Sequence, residues 1–165
     1  MWYIISAILL IAGDQVVKHI TRISMELGES IPIIEDFFHL TYIRNSGVAF
    51  GLMQGKLSLI NIVAGVAVVC IISYLIKNKD VKGKTLEKIG FLLILAGANG
   101  NVIDRLLLGY VVDMFDFRGI WQYVFNVADA YINIGVLFIV IQYIREARQL
   151  KKANIENKKS KKKKK

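Results

Sequence analysis

One cysteine, one proline and two histidines are all that this 165-residue chain holds of three residue types that often define a small protein's chemistry. A single thiol, Cys70, excludes a disulfide framework and a thiolate metal site. The two histidines, His19 and His39, form no HExxH pair. There is no Gly-x-Ser-x-Gly elbow and no phosphate loop, and no serine has an evident base beside it. Charge is also missing where its absence matters: residues 57–76 contain none. A membrane-spanning helix needs about 20 predominantly apolar residues. That one run argues against a compact soluble enzyme.

What is present points the same way. Hydrophobic residues make up 55% of the chain and the mean hydropathy is +0.46. Four apolar segments emerge, over residues 2–23, 57–76, 89–108 and 125–144. The first lacks a basic leader and a small-residue cleavage site and carries Asp14 and Lys18, so it reads as a retained helix and not a signal peptide. Cys70 falls among Val and Ile in the second segment and reads as inert core. The net charge of +9 belongs to the end of the chain: residues 145–165 alone carry +9, and residues 1–144 sum to zero. Residues 151–165 read as a basic, disordered tail behind a body of residues 1–150. The tail's lysines suit anionic lipid headgroups, worth about 1 kcal/mol each near the surface. Nucleic acid is not expected, because no aromatic platform accompanies them.

Lys and Arg placement sets the orientation. The linker between the second and third segments carries Lys77, Lys79, Lys82, Lys84 and Lys88. With the basic tail it marks the cytoplasmic side, and four spans then put both termini there. The remaining loops, residues 24–56 and 109–124, lie outside. In the first, Phe37-Phe38-His39-Leu40-Thr41-Tyr42-Ile43 is aromatic and β-branched and reads as a short strand or two.

Ionisable groups inside spans are costly and are functional candidates by default. Asp14 and Lys18 share a helix face at i, i+4 and read first as a buried ion pair. Asp104 and Arg105 close the third span. Gly97, Asn99, Gly100 and Asn101 form a small polar patch before them, either helix-packing glue or the floor of a polar site. Asp129 opens the fourth span, and Asp113 lies just past the third among apolar residues. Two carboxylates brought together share one proton, so one activates water while the other donates. A spacing of 16 residues across a loop does not by itself establish that they meet. Asp116 competes with Asp113, but Arg118 beside it suggests a loop ion pair.

Five blocks in order resemble the bacterial lipoprotein signal peptidase (signal peptidase II) family. They are Asp14-Gln15-Val16-Val17-Lys18, Arg44-Asn45-Ser46-Gly47-Val48-Ala49-Phe50-Gly51, Gly97-Ala98-Asn99-Gly100-Asn101-Val102-Ile103-Asp104-Arg105, Val111-Val112-Asp113 and Phe125-Asn126-Val127-Ala128-Asp129. The resemblance implies an α-helical membrane protein with four transmembrane helices, a small extracytoplasmic β-cradle over residues 37–51 and a short interfacial helix near residues 117–123. It implies an aspartic endopeptidase of the bacterial cytoplasmic membrane with Asp113 and Asp129 as its catalytic pair. Asp14, Lys18, Asn45, Asn101, Asp104, Arg105 and Asn126 are implied as substrate-binding or supporting residues. The implied substrates are diacylglyceryl-modified prolipoproteins, cut before the lipidated cysteine at the extracytoplasmic face. Globomycin-type peptides are the implied inhibitors, and no metal or other cofactor is called for. Ala96, Asn99 and Ala130 depart from the family pattern without removing a carboxylate.

Two other readings make different demands. A small carrier using Asp129 and Asp14 as proton sites requires transport and no cleavage, and the chain lacks the internal repeat such carriers show. A helix bundle with a purely structural polar core requires that Asp113→Asn and Asp129→Asn leave function intact.

Overall fold

The computed structural model describes residues 2–47, 57–79 and 81–163. Val48, Ala49, Phe50 and Gly51 of the loop block lie outside them. The chain runs α1 (Trp2–Ser24), β1 (Ser30–Ile34), β2 (Phe38–Asn45), α2 (Leu57–Lys77), α3 (Thr85–Leu108), β3 (Val111–Phe117) and α4 (Val127–Lys163). All four helices are long and apolar enough to cross a membrane. The 21 residues of α2 extend about 31 Å at 1.5 Å per residue, close to a bilayer's hydrocarbon thickness. Nearly all of α2 faces outward, Cys70 included, so that thiol is not core as the sequence suggested. A helix apolar all round has no polar side to turn away from lipid, so periodicity could not orient it.

The most extensive helix contact is between α3 and α4. Gly90 and Gly135 make it possible. A Cβ on either would come within 2.6 Å of the other's carbonyl oxygen, so the two backbones meet directly. Gly97 faces the Ala128 carbonyl just as closely.

At one end of the bundle lies a three-stranded antiparallel sheet in the order β1-β2-β3. Gly109, left-handed at φ 79°, ends α3 and donates its N–H to the Arg105 carbonyl, turning the chain into β3. One sheet face packs Tyr42, Val112 and Met114 into a core against Val17 of α1 and Leu108 of α3. The register pairs Ile43 with Asp113 and Asn45 with Val111, which puts Asn45 and Asp113 together on the opposite face.

Two expectations differ from the structure. Residues 118–123 form turns and not an interfacial helix. Trp121 N–H reaches the Phe117 carbonyl at 2.9 Å, but Gly119 sits at φ 78°, which breaks a right-handed helix. Over residues 151–163, expected as part of a disordered tail, the structure continues α4 to Lys163. Its Lys, Ala, Gln and Glu residues are good helix formers, and the membrane segment supplies the nucleus from which the helix propagates.

Candidate active site

Residue 125 decides where the fourth span begins. Phe125 forms a bridge with Phe115: its N–H donates to the Phe115 carbonyl at 3.0 Å and its own carbonyl accepts from Phe115 N–H at 2.7 Å. The Phe117 and Phe125 rings stack at 5.7 Å. The start of α4 is thereby held beside β3, and the two aspartates are drawn to the same end of the molecule.

Asn126 links them. Its Nδ2 donates to Asp113 Oδ1 at 2.6 Å, and its Oδ1 accepts from Asp129 N–H at 3.0 Å. Asp129 Oδ2 accepts in return from Asn126 N–H at 3.3 Å, a reciprocal cap on the first turn of α4. The remaining oxygens also meet amides. Asn45 Nδ2 donates to Asp113 Oδ2 at 2.9 Å, and Asn101 Nδ2 donates to Asp129 Oδ1 at 2.8 Å. Asp113 is 1% exposed. Burial first, and then the charge of Asp129, push its carboxyl up to about 7, against the pull of the Asn45 and Asn126 hydrogen bonds and of Lys18.

A second layer holds these amides. Lys18 Nζ donates to Asn101 Oδ1 at 2.9 Å and lies 2.9 Å from Asp14 and 3.2 Å from Asp104. The ion pair read from the i, i+4 spacing is therefore present, with Asp104 as a third member. Asp14 Oδ1 accepts from Ala128 N–H at 2.9 Å, so the first helix caps the fourth. Asp104 Oδ2 accepts from Val112 N–H at 3.0 Å and fixes β3 next to Asp113. Gly100 leaves room for Asp14, since a Cβ there would lie 2.5 Å from its Oδ2. Arg105 donates to the Gly47 carbonyl at 3.2 Å and so ties α3 to the chain just after β2.

Of the sequence candidates, Asp14, Lys18, Asn45, Asn101, Asp104, Asp113, Asn126 and Asp129 are all joined through these hydrogen bonds and ion pairs, and Arg105 joins them by donating to the Asn101 carbonyl at 3.4 Å. Asn99 is not: its amide bonds the Leu95 carbonyl of its own helix at 2.8 Å. Asp116 takes part in a separate group, with Arg118 at 3.2 Å and Thr41 at 2.9 Å. Sequence reasoning gave Gln15 no role. Its Nε2 reaches Asp104 at 2.9 Å and both Asp14 and the Gly100 carbonyl at 3.2 Å. An amide inside an apolar span was the available signal. A cleft of about 430 Å³ opens beside Asp129, lined by Asn101 and Arg105 and by Ile60, Ala64 and Ala98.

These features define a class: an integral membrane protein of four spanning helices whose polar core holds two amide-bound carboxylates, a set of groups able to run acid–base hydrolysis. The profile of the peptidase A8 family, signal peptidase (SPase) II, matches residues 6–145. A lipoprotein signal peptidase of Fusobacterium nucleatum is 48% identical over 144 residues, covering 87% of each chain. One of Clostridioides difficile is 45% identical over 86% of this chain and 93% of its own. A bacterial membrane enzyme solved in meso at 2.3 Å superposes with a TM-score of 0.81 at 33% identity, covering 88% of each chain. The chain belongs to the signal peptidase II family, and it is an aspartic-type peptidase of the membrane.

Proposed function

We propose that Asp113 and Asp129 are the catalytic pair of this peptidase and that they hydrolyse the signal peptide bond without a covalent intermediate. The observation that carries this reading is the Asn126 side chain, which bonds Asp113 and the Asp129 backbone at once. Among the described residues, each carboxylate is bound by amides and has no cation within ion-pair distance, which suits the pair to exchanging protons. Pushed up to about 7, Asp113 can hold a proton near neutral pH. Asp129, which borders the cleft, takes a proton from water as the hydroxide oxygen bonds the scissile carbonyl carbon. Asp113 gives its proton to the carbonyl oxygen. The tetrahedral intermediate collapses as the C–N bond breaks. The leaving nitrogen takes the proton held by Asp129, and a proton from the former carbonyl oxygen returns to Asp113.

The substrates are prolipoproteins carrying a diacylglyceryl group, cut just before the lipidated cysteine, and globomycin-type peptides inhibit by occupying the pair. The family match and the curated relatives support this reading. The lysine-rich linker and tail support cytoplasmic termini in the bacterial inner membrane, with the sheet and aspartates at the extracytoplasmic face. Residues 1–150 are the peptidase body and residues 151–165 a basic cytoplasmic extension. Asn45, Asn101 and Asn126 position the pair. Asp14, Lys18, Asp104 and Arg105 hold the elements that carry them.

The test is cleavage of a diacylglyceryl-modified prolipoprotein by the purified protein in detergent, read by gel shift with and without globomycin. Wild type is expected to cut, and Asp113→Asn and Asp129→Asn to lose about 10²–10⁴-fold in turnover while staying folded. Turnover within about tenfold of wild type after either substitution overturns the assignment.

A further inference from the structure

On the sheet face turned away from Asp113 lies a group of side chains that the peptidase chemistry does not use. Arg44 follows Tyr42 by two residues on β2 and so shares its face. Its Nε donates to the Tyr42 hydroxyl at 3.1 Å, and its guanidinium carbon lies 4.8 Å from the centre of the Tyr110 ring. Tyr110 also senses the charge of Arg22, from the sheet end of α1. Arg22 and Arg44 are both exposed. Among the described residues, neither has a carboxylate within ion-pair distance.

Beside them a crevice of about 220 Å³ runs between α1 and α3. Lys18 and Asp104 form its buried floor, His19 and Arg22 its rim, and Leu107 and Val112 its walls. Val112 is the register partner of Arg44, so the backbone of Arg44 lies beside a residue that walls the crevice. Ile20, Leu106 and Leu107 stand exposed around it on helices long enough to span a bilayer.

Two exposed guanidiniums without carboxylate partners can take an anion. Guanidinium forks match phosphate oxygens in a two-pronged way and are weakly hydrated. Tyrosines favour the interface, where a ring meets apolar chains and a hydroxyl meets polar groups. We propose that Arg22 and Arg44, backed by Tyr42 and Tyr110, bind the phosphate of an anionic phospholipid in the leaflet at the sheet end of the bundle, with one acyl chain laid along Leu107 and Ile20. A lipid of net negative charge is favoured over a zwitterionic one, because among the described residues neither guanidinium is neutralised by a carboxylate within ion-pair distance. The floor carboxylate, Asp104, is already engaged by Lys18, Gln15 and Val112 N–H. This site is separate from the aspartate pair and does not depend on it.

The experiment follows thermal unfolding of the purified full chain in a neutral detergent during titration with dihexanoyl phosphatidylglycerol or dihexanoyl phosphatidylcholine. The wild type is expected to be stabilised at lower concentrations of the phosphatidylglycerol. Arg22→Gln is expected to weaken that response roughly fivefold, the loss of one cation near a lipid surface. Arg22→Gln/Arg44→Gln is expected to respond equally to the two lipids. Lys82→Gln/Arg145→Gln, at the opposite end of the bundle, is expected to keep the wild-type preference. Arg22 makes no hydrogen bond or ion pair among the described residues, so Arg22→Gln alone decides the matter if the double variant does not fold. No preference in the wild type overturns the proposal, as does an unchanged preference in Arg22→Gln. An equal shift from inorganic phosphate at the same concentration overturns the lipid as its occupant.

Discussion

Two sets of buried carboxylates occupy the same end of this bundle and are kept there in different ways. Asp14 and Asp104 flank the ammonium of Lys18, at 2.9 and 3.2 Å, and their other oxygens accept backbone N–H groups or the Gln15 amide. Among the described residues, Asp113 and Asp129 accept hydrogen bonds from amides and have no cation within ion-pair distance. A buried charge with a cation of its own is tied to the structure, because removing either partner strands the other. An amide stabilises a carboxylate through a dipole and leaves its proton negotiable. The first set is thus suited to holding helices, and the second to moving protons. Asn101 joins them, accepting from Lys18 and donating to Asp129.

The most direct way to break the comparison is to neutralise one member of each set. Asp113→Asn or Asp129→Asn is expected to cut turnover by about 10²–10⁴-fold with the fold kept, as the gel-shift assay would read. Lys18→Met should do the reverse. It leaves two buried carboxylates without a cation and is expected to cost about 3–5 kcal/mol, seen as a lower unfolding temperature or as failure to purify folded. A Lys18→Met protein of wild-type stability would end the distinction between the two sets.

Proton exchange can be tested by titration. Asp113 is pushed up from its unfolded value near 3.8 to about 7, so the folded chain holds a proton that the unfolded chain has released across that window. Wild-type stability is expected to fall as pH rises from 4 to 7, and Asp113→Asn to flatten that slope in thermal unfolding measured at each pH. Cleavage is expected to decline as pH rises past about 7, where the pair loses its shared proton. Asn126→Ala removes a hydrogen bond that lowers the Asp113 value, so the declining limb should move to higher pH. The same change removes the α4 cap, at about 0.5–2 kcal/mol. A limb that moves to lower pH would show that Asn126 does not act on Asp113. The smallest effect belongs to the carboxylate outside both sets. Asp116→Asn breaks its partly exposed ion pair with Arg118, worth about 0–1 kcal/mol. Turnover should stay within about twofold of wild type, an effect under 0.5 kcal/mol on the barrier.

Much of this was legible in the chain. The uncharged run of α2 announces a span, and the four-residue spacing of Asp14 and Lys18 announces their pairing. The apolar flank of Asp113 announces burial, and β3 buries it. Other features were hidden. Residues 111–117 form a strand that pairs with β2, the Asn45–Asp113 side-chain bond spans 68 positions, and no local pattern reports a partner so distant. Gln15 lay in plain view, but its three acceptors come from its neighbour and from α3.

By itself the sequence determined the spans, since burying apolar length in a bilayer depends on composition and little else. It also determined which groups would be costly to leave unpaired, namely the ionisable and amide side chains inside or beside those spans. Only the tertiary structure decided which of them meet. The Phe115–Phe125 bridge brings α4 to β3, the glycines of α3 let α4 and Asp14 approach, and Asn126 then spans the gap between Asp113 and Asp129. The physical reason is range. Hydrophobic transfer is a property of each segment, whereas a hydrogen bond requires two groups to lie within about 3 Å, and that distance is set by the whole fold.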